Sequence, residues 1–385
     1  MTLGSFAYSA PTIVWFAPDG LARLGSYLKR LGVARALVVT DAGVAASGAL
    51  GLVREAAAGR AADAWTNVEP DAPRESVQAG AEAARALGAD GIVAVGGGSA
   101  IDSGKAIALL AKHGGDVGRW DGNNKVGEHG LPLVAIPTTA GTGSEVSNIA
   151  VVKDTARARK LVIFDRAVYP DVAVLDPRLT VGLPAKLTAA TGVDALTHAV
   201  EGVASRYAEP MCDAIGLACV GMVKRSLPRA VERGDDLDAR GEMLIAASMA
   251  GQLVSMTFSG VAHAVAHALG VGFRVHHGTG NAVALPWSVR FNAEDARAAA
   301  QSARCAAAFG VAPQADDRAT ALAFADALEA FVASLGLATR LAGVGVGRAD
   351  LPRVAELAFA DPSHGPNPVK VESAATFETA LASLL

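Results

Sequence analysis

Half of the histidines in this chain lie in one short stretch, GVAHAVAHALGVGFRVHHGTGNAV, at residues 260–283. His263 and His267 are four residues apart, a spacing that places both side chains on one face of a helix. His276 and His277 are adjacent and precede a glycine. Imidazole binds metals and also exchanges protons near neutral pH, so this stretch is a candidate for either chemistry.

A second stretch, TGVDALTHAVEG, places Asp194 and His198 four residues apart on another predicted helix. One carboxylate with several imidazoles is a ligand set for a divalent transition metal, and Fe²⁺ and Zn²⁺ both suit it. Each histidine taken alone is more typical of an ordinary core or surface position. Several such residues on apolar, alanine-rich helices favour a metal site, because buried polar groups need partners.

The segment VAVGGGSAIDSGKA, residues 93–106, joins a predicted strand to a predicted helix. Gly97 and Gly98 have no Cβ, so backbone N–H groups can approach a phosphate at the start of the helix. Ser99 is placed to cap that helix. The same letters are typical of a tight strand-to-helix turn, so this segment alone leaves phosphate binding open.

A second loop, IPTTAGTGSEVS at residues 136–147, follows another apolar strand. It offers the hydroxyls of Thr138, Thr139 and Thr142 beside two glycines. Two such loops at the carboxyl ends of strands are typical of the crevice that binds a nucleotide in an α/β sheet. The alternative is a loop whose serines and threonines only cap neighbouring backbone.

Asp41 ends the predicted strand in LVVTDAG. A carboxylate at that place can accept hydrogen bonds from an adenosine ribose and would repel a 2′-phosphate. The alternative is a simple helix N-cap, which is equally compatible with the sequence.

The composition indicates a core-rich globular protein, with 51% hydrophobic residues, 19% charged residues and a mean hydropathy of +0.32. A net charge of −4, mixed along the chain, argues against nucleic acid or an anionic membrane as a partner. Three scattered cysteines make neither a disulfide framework nor a cysteine-based zinc site. We find no secretory signal and no membrane-spanning run, and therefore expect a cytoplasmic protein.

The first half of the chain alternates short apolar strands with alanine-rich helices. Strands are predicted at 34–41, 60–68, 89–99, 131–139, 160–165 and 172–177, and helices at 21–31, 74–87 and 99–111. Such alternation predicts a parallel sheet covered by helices on both faces.

The texture changes after about residue 183, where helical spacing continues with little that indicates a strand. Helices are predicted at 183–205, 211–231, 238–256, 293–309 and 317–335. We therefore predict an α/β domain over residues 1–182 and an all-helical domain over residues 183–385.

The chain resembles the iron-containing (group III) alcohol dehydrogenases over nearly its whole length. The motifs that carry the resemblance are GGGSAIDSGKA, IPTTAGTGSEVS, DPRLTVGLP, GVDALTHAVE and GVAHAVAHALG followed by HHGTGNAVALP, in that order. The resemblance implies an N-terminal, Rossmann-like dinucleotide-binding domain and an all-α C-terminal domain, the architecture of dehydroquinate synthase. It also implies a homo-oligomer, which we expect to be a dimer.

The family's functional positions fall on particular residues of this chain. Its metal ligands match Asp194, His198, His263 and His277, and the metal would be Fe²⁺, with Zn²⁺ or another divalent ion as alternatives. His267 matches a histidine near the nicotinamide and the substrate that handles the proton without binding the metal. Cofactor positions match Asp41, Gly97, Gly98, Ser99, Thr138, Thr139, Thr142 and Lys160, and Asp41 matches the position that favours NAD over NADP.

Two positions depart from this pattern. The turn EPDAP carries Asp71 where members often have asparagine, which leaves a cofactor contact there open. His276 precedes the ligand-matching His277 and matches no functional position, so we interpret it as a bystander or as a neighbour of a ligand.

The implied reaction is reversible oxidation of a small, neutral alcohol to its aldehyde or ketone by hydride transfer to NAD. Within the superfamily the alternatives are a maleylacetate reductase, a glycerol dehydrogenase and a hydroxyacid-oxoacid transhydrogenase. A lyase similar to dehydroquinate synthase is a more distant alternative. Two other classes also stay open: a metal-dependent hydrolase without a dinucleotide, and a non-catalytic NAD-binding protein.

Overall fold

The computed structural model describes residues 5–157 and 159–385, which divide into two compact units. One unit comprises Ala10–Leu183 together with Asp235–Gly251. The other comprises Pro184–Gly234 and Gln252–Leu385, with a short N-terminal segment that ends at Ser9. The predicted domain boundary after residue 182 stays our proposal for the division of the chain.

Six strands form the central sheet of the α/β unit, and every neighbouring pair is parallel. They are β1 (Ile13–Phe16), β2 (Ala36–Val39), β3 (Ala61–Trp65), β4 (Gly91–Gly96), β6 (Leu133–Pro137) and β9 (Val172–Leu175). Their order across the sheet is β1-β9-β6-β4-β2-β3. The predicted parallel sheet is confirmed.

Both faces of this sheet are covered, as the continuous apolar runs of its strands require. Ile92 and Ala94 of β4 enter one hydrophobic cluster, while Val93 and Val95 enter a second cluster on the opposite face. Successive side chains of a strand point to opposite faces of the sheet, so a strand that is apolar at every position must be covered on both faces.

Five helices flank the sheet: α1 (Leu24–Arg30), α2 (Ala42–Ala46), α3 (Ala49–Ala56), α4 (Arg74–Leu87) and α5 (Gly98–His113). The bounds of α4 are those predicted. It begins directly after Pro73 and ends at Gly88, whose φ of 64° ends a helix at no steric cost.

A smaller three-stranded sheet corrects the prediction for residues 160–165. These residues belong to β8 (Arg159–Phe164), which pairs antiparallel with β7 (Ile149–Asp154) and parallel with β5 (Gly122–Asn123). Assigning them to the main parallel sheet was therefore wrong. Buried and partly exposed residues alternate along β7 and β8, the pattern of an antiparallel pair with one covered face.

Nine α-helices follow Leu183 in the described part of the chain, with no strand among them. They are α6 (Ala185–Ala204), α7 (Pro210–Glu232), α8 (Leu237–Thr257), α9 (Val261–Phe273), α10 (His277–Asn292), α11 (Ala296–Phe309), α12 (Asp317–Ser334), α13 (Leu351–Ala360) and α14 (Ala374–Leu381). The predicted all-helical C-terminal region is confirmed.

Helix α6 packs against α7 and α10, and almost all of its residues are buried. Helices α9, α10, α13 and α14 share a separate hydrophobic cluster within the helical unit, which includes Leu269, Trp287 and Phe377. Among the described residues, no single helix combines the length and apolar composition needed to cross a bilayer, although the bent pair α8–α9 would reach them jointly.

Candidate metal centre and nucleotide site

Three predicted ligands from three helices converge in the helical unit. The carboxylate Oδ1 of Asp194 lies 3.6 Å from Nε2 of His263 and 3.2 Å from Nε2 of His277. The three ligand atoms all lie within 4.8 Å of one another. Asp194 and His263 are buried, whereas the side chain of His277 keeps 29% of its surface exposed, so the cluster is open on one side.

Close packing at the start of α10 brings His277 to this cluster. A Cβ on Gly278 would lie 2.2 Å from the carbonyl oxygen of Ala190 on α6, and a Cβ on Gly280 would lie 2.9 Å from Cα of Ala266 on α9. Neither contact is possible for a larger residue without movement of a helix. The glycines therefore let α10 approach both helices that carry the other ligands.

The spacing of these atoms fits a transition metal. Bonds of about 2.1 Å to nitrogen and oxygen ligands in tetrahedral geometry separate neighbouring ligand atoms by about 3.4 Å. The distances from Asp194 to the two imidazoles, 3.2 and 3.6 Å, bracket that value. A carboxylate with neutral imidazoles is also the donor set that Fe²⁺ and Zn²⁺ accept. The residues present thus fit the metal that the family resemblance implies.

The electrostatics of the cluster favour a cation. Burial by itself opposes ionisation of Asp194, but His198 and His277, with hydrogen bonds from His263 and His277, hold its pKa well below the usual range. Burial also lowers the pKa of His277 to about 3, against partial opposition from Asp194. Asp194 is therefore an anion in a buried site, and His277 is in the neutral form that a metal-binding histidine requires.

His263 differs from His277 in its protonation. Burial by itself lowers its pKa, but hydrogen bonds with Asp194 and Glu201 outweigh burial and raise the pKa to about 9. Without a metal this imidazole carries a proton at neutral pH. Because a metal ligand must be deprotonated, metal binding at His263 has to displace that proton.

His198, the fourth predicted ligand, lies beside the cluster. Its ring stacks on that of His263, with centroids 4.3 Å apart and an interplanar angle of 24°, and its side chain is buried. The tight group of three ligand atoms does not include it. Its role as a ligand stays a prediction.

Sequence reasoning missed Glu201, which holds His263 from behind. Its carboxylate accepts a hydrogen bond of 2.6 Å from Nδ1 of His263 and further bonds from the backbone N–H groups of Gly260 and Ala262. Glu201 follows Asp194 by seven residues on α6, so the two carboxylates share a helix face. That spacing was a signal that could have found it.

Sequence reasoning also missed Asn281, which lies one turn after His277 on α10. Its amide nitrogen donates to Oδ1 of Asp194 at 2.6 Å and lies 3.3 Å from Nε2 of both His263 and His277. The Asn281 side chain therefore contacts each of the three converging ligand atoms and orients the carboxylate.

The two remaining histidines of the 260–283 stretch, His267 and His276, lie in different surroundings. His267 stacks on His277 with centroids 5.1 Å apart, and its Nδ1 lies 2.9 Å from Oδ2 of Asp361. His276 is exposed and serves as the N-cap residue of α10 through its backbone. Its exposed side chain agrees with its interpretation as a bystander.

All the predicted nucleotide residues except Lys160 follow the carboxyl ends of strands β2, β4 and β6 of the main sheet. In the sheet, β2 lies between β3 and β4. The chain passes from β2 to β3 on one side and then returns to β4 on the other side of β2. The strand order therefore reverses between β2 and β4, and parallel sheets bind ligands at such a switch point. Asp41 follows β2 and the glycines follow β4, which places both at the switch point.

The glycine turn after β4 and the 136–147 loop after β6 pack against each other, because β4 and β6 are neighbours in register from Ile92 to Gly96. A Cβ on Gly98 would meet the side chain of Thr142 at 2.8 Å, and a Cβ on Gly97 would meet Oγ1 of Thr139 at 3.3 Å. The backbone N–H of Thr138 donates to the carbonyl of Gly96 at 3.0 Å. These residues surround the start of α5, a place here called the cradle, and the start of a helix is a kind of place that suits a phosphate.

Ser99 does not cap α5, contrary to expectation. Helix α5 begins at Gly98 with Gly97 as its N-cap, so Ser99 already lies in the first turn. Its hydroxyl instead accepts a hydrogen bond of 3.0 Å from the backbone N–H of Asp71. Helix α5 thus begins at Gly98, one residue earlier than predicted, because Gly97 takes the N-cap position.

Asp41 lies where both of its predicted roles are feasible. One carboxylate oxygen accepts from the backbone N–H of Val44 at 2.8 Å and caps α2. The other would lie 3.4 Å from a Cβ on Gly96, which places it beside the glycine turn. The N-cap is therefore real, and the role in choosing NAD stays a prediction.

Lys160 pairs with the residue that departs from the family pattern. Its ammonium lies 3.9 Å from Oδ1 of Asp71, and Lys153 lies 3.9 Å from Oδ2 of the same carboxylate. Asp71 adopts a left-handed φ of 63° and is half exposed. The carboxylate thus sits between two lysines next to Ser99, within the set of residues predicted to bind the cofactor.

A buried charged side chain, that of Lys105, anchors the end of the 136–147 loop. Lys105 of α5 is fully buried and donates to the carbonyls of Ser147 and Ile149 at 3.0 and 2.6 Å. Burial lowers its pKa to about 8, although Asp102 and Glu145 oppose that effect. Lys105 therefore ties the end of the 136–147 loop to α5.

Two sequence profiles match this chain almost end to end. The profile described as iron-containing alcohol dehydrogenase matches residues 11–177, and that of the C-terminal part of the same family matches residues 188–383. The chain belongs to the iron-containing alcohol dehydrogenase family.

Individual relatives agree with the family. Alcohol dehydrogenase 4 of Saccharomyces cerevisiae (strain YJM789) is 36% identical over 362 residues, 94% of each chain. The NAD-dependent methanol dehydrogenase of Bacillus methanolicus is 38% identical over 274 residues, 70% of this chain and 71% of that protein. A crystal structure of 1,3-propanediol oxidoreductase superposes with a TM-score of 0.93 at 34% identity, covering 99% of this chain and all of that one.

Family membership confirms the predicted class of reaction, an oxidoreductase that acts on CH–OH groups of small alcohols or aldehydes. The predicted pair of cofactors, NAD and a divalent metal, is confirmed at the level of the family. The individual metal ligands and cofactor contacts named above stay predictions.

Proposed function

We propose that this chain is an NAD- and iron-dependent dehydrogenase that interconverts a small, uncharged alcohol and its aldehyde or ketone. The observation that carries the proposal is the convergence of Asp194, His263 and His277 at metal-ligand spacing in a partly open, buried cluster. The family supplies the reaction class, and this cluster supplies a site that suits it.

Asp194, His263 and His277 would hold the metal, with His198 as the fourth ligand. When bound, the metal supplies Lewis-acid activation of the alcohol hydroxyl and NAD supplies the hydride acceptor. Glu201 holds His263 through Nδ1, which leaves Nε2 directed to Asp194 at 3.6 Å. Carboxylate–histidine pairs of this kind fix the ring orientation and raise the basicity of a ligand.

His267 would accept and relay the proton that the alcohol loses. Its ring stacks on His277 without joining the group of converging ligand atoms, and its side chain is 20% exposed. A proton-handling group needs to lie close to the reacting hydroxyl and to exchange with solvent. Partial exposure next to a predicted ligand meets both conditions.

The cradle at the switch point would bind NAD. Gly97, Gly98 and Ser99 would contact the pyrophosphate at the start of α5, and Asp41 would accept from the adenosine ribose. The loop hydroxyls of Thr138, Thr139 and Thr142 would line the cofactor. Lys160 would reach the ribose next to the nicotinamide.

The substrate that we propose is a short primary alcohol or its aldehyde. Relatives that this chain resembles are named for methanol and 1,3-propanediol, both small and uncharged. A carboxylated substrate would need a cation aimed at the site, and Lys160, the lysine that the sequence places there, is the one that we assign to the cofactor ribose.

The deciding experiment is metal analysis of anaerobically purified protein, followed by a panel of alcohols and aldehydes with each of NAD(H) and NADP(H). We expect about one iron per chain, turnover of short alcohols with NAD, and loss of turnover on chelation. The His263→Ala variant should lose most of its metal. Wild-type metal content in that variant, or activity that survives chelation, would refute the proposal. Panel members with a carboxylate, such as maleylacetate, test the alternative reductases.

We also propose that the enzyme works as a cytoplasmic homodimer. Cys212, Cys219 and Cys305 are buried thiols that are not joined in disulfides, which suits a reducing compartment. Light scattering behind size-exclusion chromatography tests the proposal: a mass near twice 38.8 kDa supports the dimer, and a mass near 38.8 kDa contradicts it.

A further inference from the structure

The two histidines of HAVAH each meet a carboxylate at the same ring nitrogen. Nδ1 of His263 lies 2.6 Å from Glu201, and Nδ1 of His267 lies 2.9 Å from Asp361. The first pair holds a predicted metal ligand. The second holds a histidine that does not belong to the converging ligand atoms, so its carboxylate must serve another purpose.

Asp361 reaches His267 from far along the chain, in the segment that follows α13. Its second oxygen, Oδ1, accepts from the backbone N–H of Ser363 at 2.9 Å, so the carboxylate is held at both ends. Its side chain is 17% exposed and that of His267 is 20% exposed. The pair is thus shielded on most sides and still accessible to solvent.

The same segment is anchored to the helices around the candidate metal centre. Asn367 and Asn292 exchange side-chain hydrogen bonds of 2.7 and 3.1 Å, and the side-chain Oδ1 of Asn367 also accepts from the backbone N–H of Val261 at 3.4 Å. Both asparagines are buried. The Asp361 carboxylate is therefore fixed relative to α9, the helix that carries His267.

A carboxylate can only accept, so the nitrogen of His267 that faces it must carry hydrogen. The partner of a ring nitrogen decides which tautomer a histidine adopts. With Nδ1–H committed to Asp361, Nε2 is the nitrogen left for proton exchange. An unconstrained histidine would divide its population between two tautomers and several ring orientations.

We propose that Asp361 is a positioning residue that holds His267 in its Nδ1–H tautomer, so that Nε2 exchanges the proton of the reacting alcohol. This inference rests on the proposed function through the role of His267. In the direction of oxidation, Nε2 would take the hydroxyl proton and solvent would remove that proton afterwards, while NAD, when bound, would supply the hydride acceptor. In reduction, Nε2 returns a proton to the carbonyl oxygen.

The test compares Asp361→Asn, Asp361→Glu and the double variant Asp361→Asn/His267→Ala. We expect Asp361→Asn to lower kcat by ten- to a hundredfold, with KM for alcohol and metal content unchanged within about twofold. Asp361→Glu should recover part of the loss. In the His267→Ala background, Asp361→Asn should have no further effect. The matched control is Asp350→Asn, since the Asp350 carboxylate accepts from the nearby backbone N–H of Gly347 and from no histidine among the described residues.

Independent, multiplicative losses in the double variant would overturn the proposal, as would parallel loss of metal. An unchanged kcat in Asp361→Asn would overturn it too. A readout that needs no turnover covers the case in which the variants fold poorly. The ¹⁵N shifts of His267 in the unsubstituted protein, identified by their absence in His267→Ala and followed with rising pH until the ring is neutral, should show a protonated Nδ1 and a bare Nε2. The reverse pattern refutes the tautomer assignment, whereas a wild-type protein inert toward all alcohols refutes the proposed function and leaves this spectrum to decide the pair.

Discussion

Glu201 and His263 form a buried hydrogen bond of 2.6 Å between α6 and α9, and neither side chain exposes more than 3% of its surface. The same carboxylate accepts from two backbone N–H groups at the start of α9, Gly260 and Ala262. One side chain thus caps a helix and holds the imidazole of a predicted metal ligand. The orientation of that ligand is coupled to the integrity of the helix start.

Glu201→Gln should therefore weaken metal binding while leaving the chain folded. Loss of a carboxylate behind a ligating histidine typically lowers metal affinity by about 10- to 100-fold. Competition with a chelator of known affinity measures the change, and Glu232→Gln, an exposed site at the end of α7, is the control. An affinity equal to that of the control would show that Glu201 acts only on the helix.

Gly278→Ala should disturb the same site by a steric route. The added methyl group would lie 2.2 Å from the carbonyl oxygen of Ala190, so α10 must move away from α6. We expect a loss of about 1–3 kcal/mol in unfolding free energy and weaker metal binding, since His277 moves with the helix. Gly51→Ala is the control, because nothing lies within 4 Å of its Cβ, and it should stabilise α3 by up to about 1 kcal/mol. Equal stability of the two variants would contradict the packing argument.

Asp41→Asn and Asp41→Gly should both relax the preference for NAD. Each variant removes the negative charge beside the glycine turn, and we expect the ratio of kcat/KM for NAD over NADP to fall at least about tenfold. Asn keeps the N-cap acceptor for the backbone N–H of Val44. Gly loses that acceptor, but glycine at an N-cap costs only about a few tenths of a kcal/mol, so the two variants should differ little in stability. Steady-state kinetics with both coenzymes make the measurement. Selectivity that stays at the wild-type value in both variants would leave Asp41 as a cap alone.

Lys105 should make the stability of the α/β unit depend on alkaline pH. Its pKa is lowered to about 8 in the folded chain from an ordinary value of 10.5, mainly because it is buried. Between these values the unfolded chain binds more protons than the folded one, so unfolding free energy rises with pH. The rise is complete above pH 10.5 and is lost as the pH falls through 8.

Denaturant unfolding of wild type and Lys105→Met from pH 7 to 10.5 measures this effect. The free energy of wild type relative to the variant should increase by at most about 1.4 kcal/mol per pH unit. Other titrating groups cancel in the difference, and Lys112→Met, an exposed lysine on the same helix, is the control. A difference that is flat or falls with pH would contradict the burial of a titrating lysine.

Much of the fold was predictable because its signals are local. Helix α4 carries a proline before it and a glycine after it, and its predicted and observed bounds agree. Strand β1, by contrast, was not predicted. It is a four-residue edge strand with mostly exposed side chains, and its partner β9 lies about 160 residues away in the chain. Nothing in its own few residues indicates that partner.

The candidate site divides in the same way. The sequence by itself determined which residue types share a helix face, as in Asp194 with His198 and His263 with His267, because a helical repeat of 3.6 residues needs no distant information. It also placed glycines and hydroxyls after apolar strands, where parallel sheets bind nucleotides.

Only the tertiary structure decided which of these side chains meet. Asn281 reaches Asp194 across 87 positions of sequence, Glu201 reaches His263 across 62, and Asp361 reaches His267 across 94. Such pairs depend on how closely helices pack, which glycines such as Gly278 control through the space that a missing Cβ leaves. A buried polar group needs a partner among the groups that packing brings beside it, so these pairs follow from the assembled core and not from spacing along the chain.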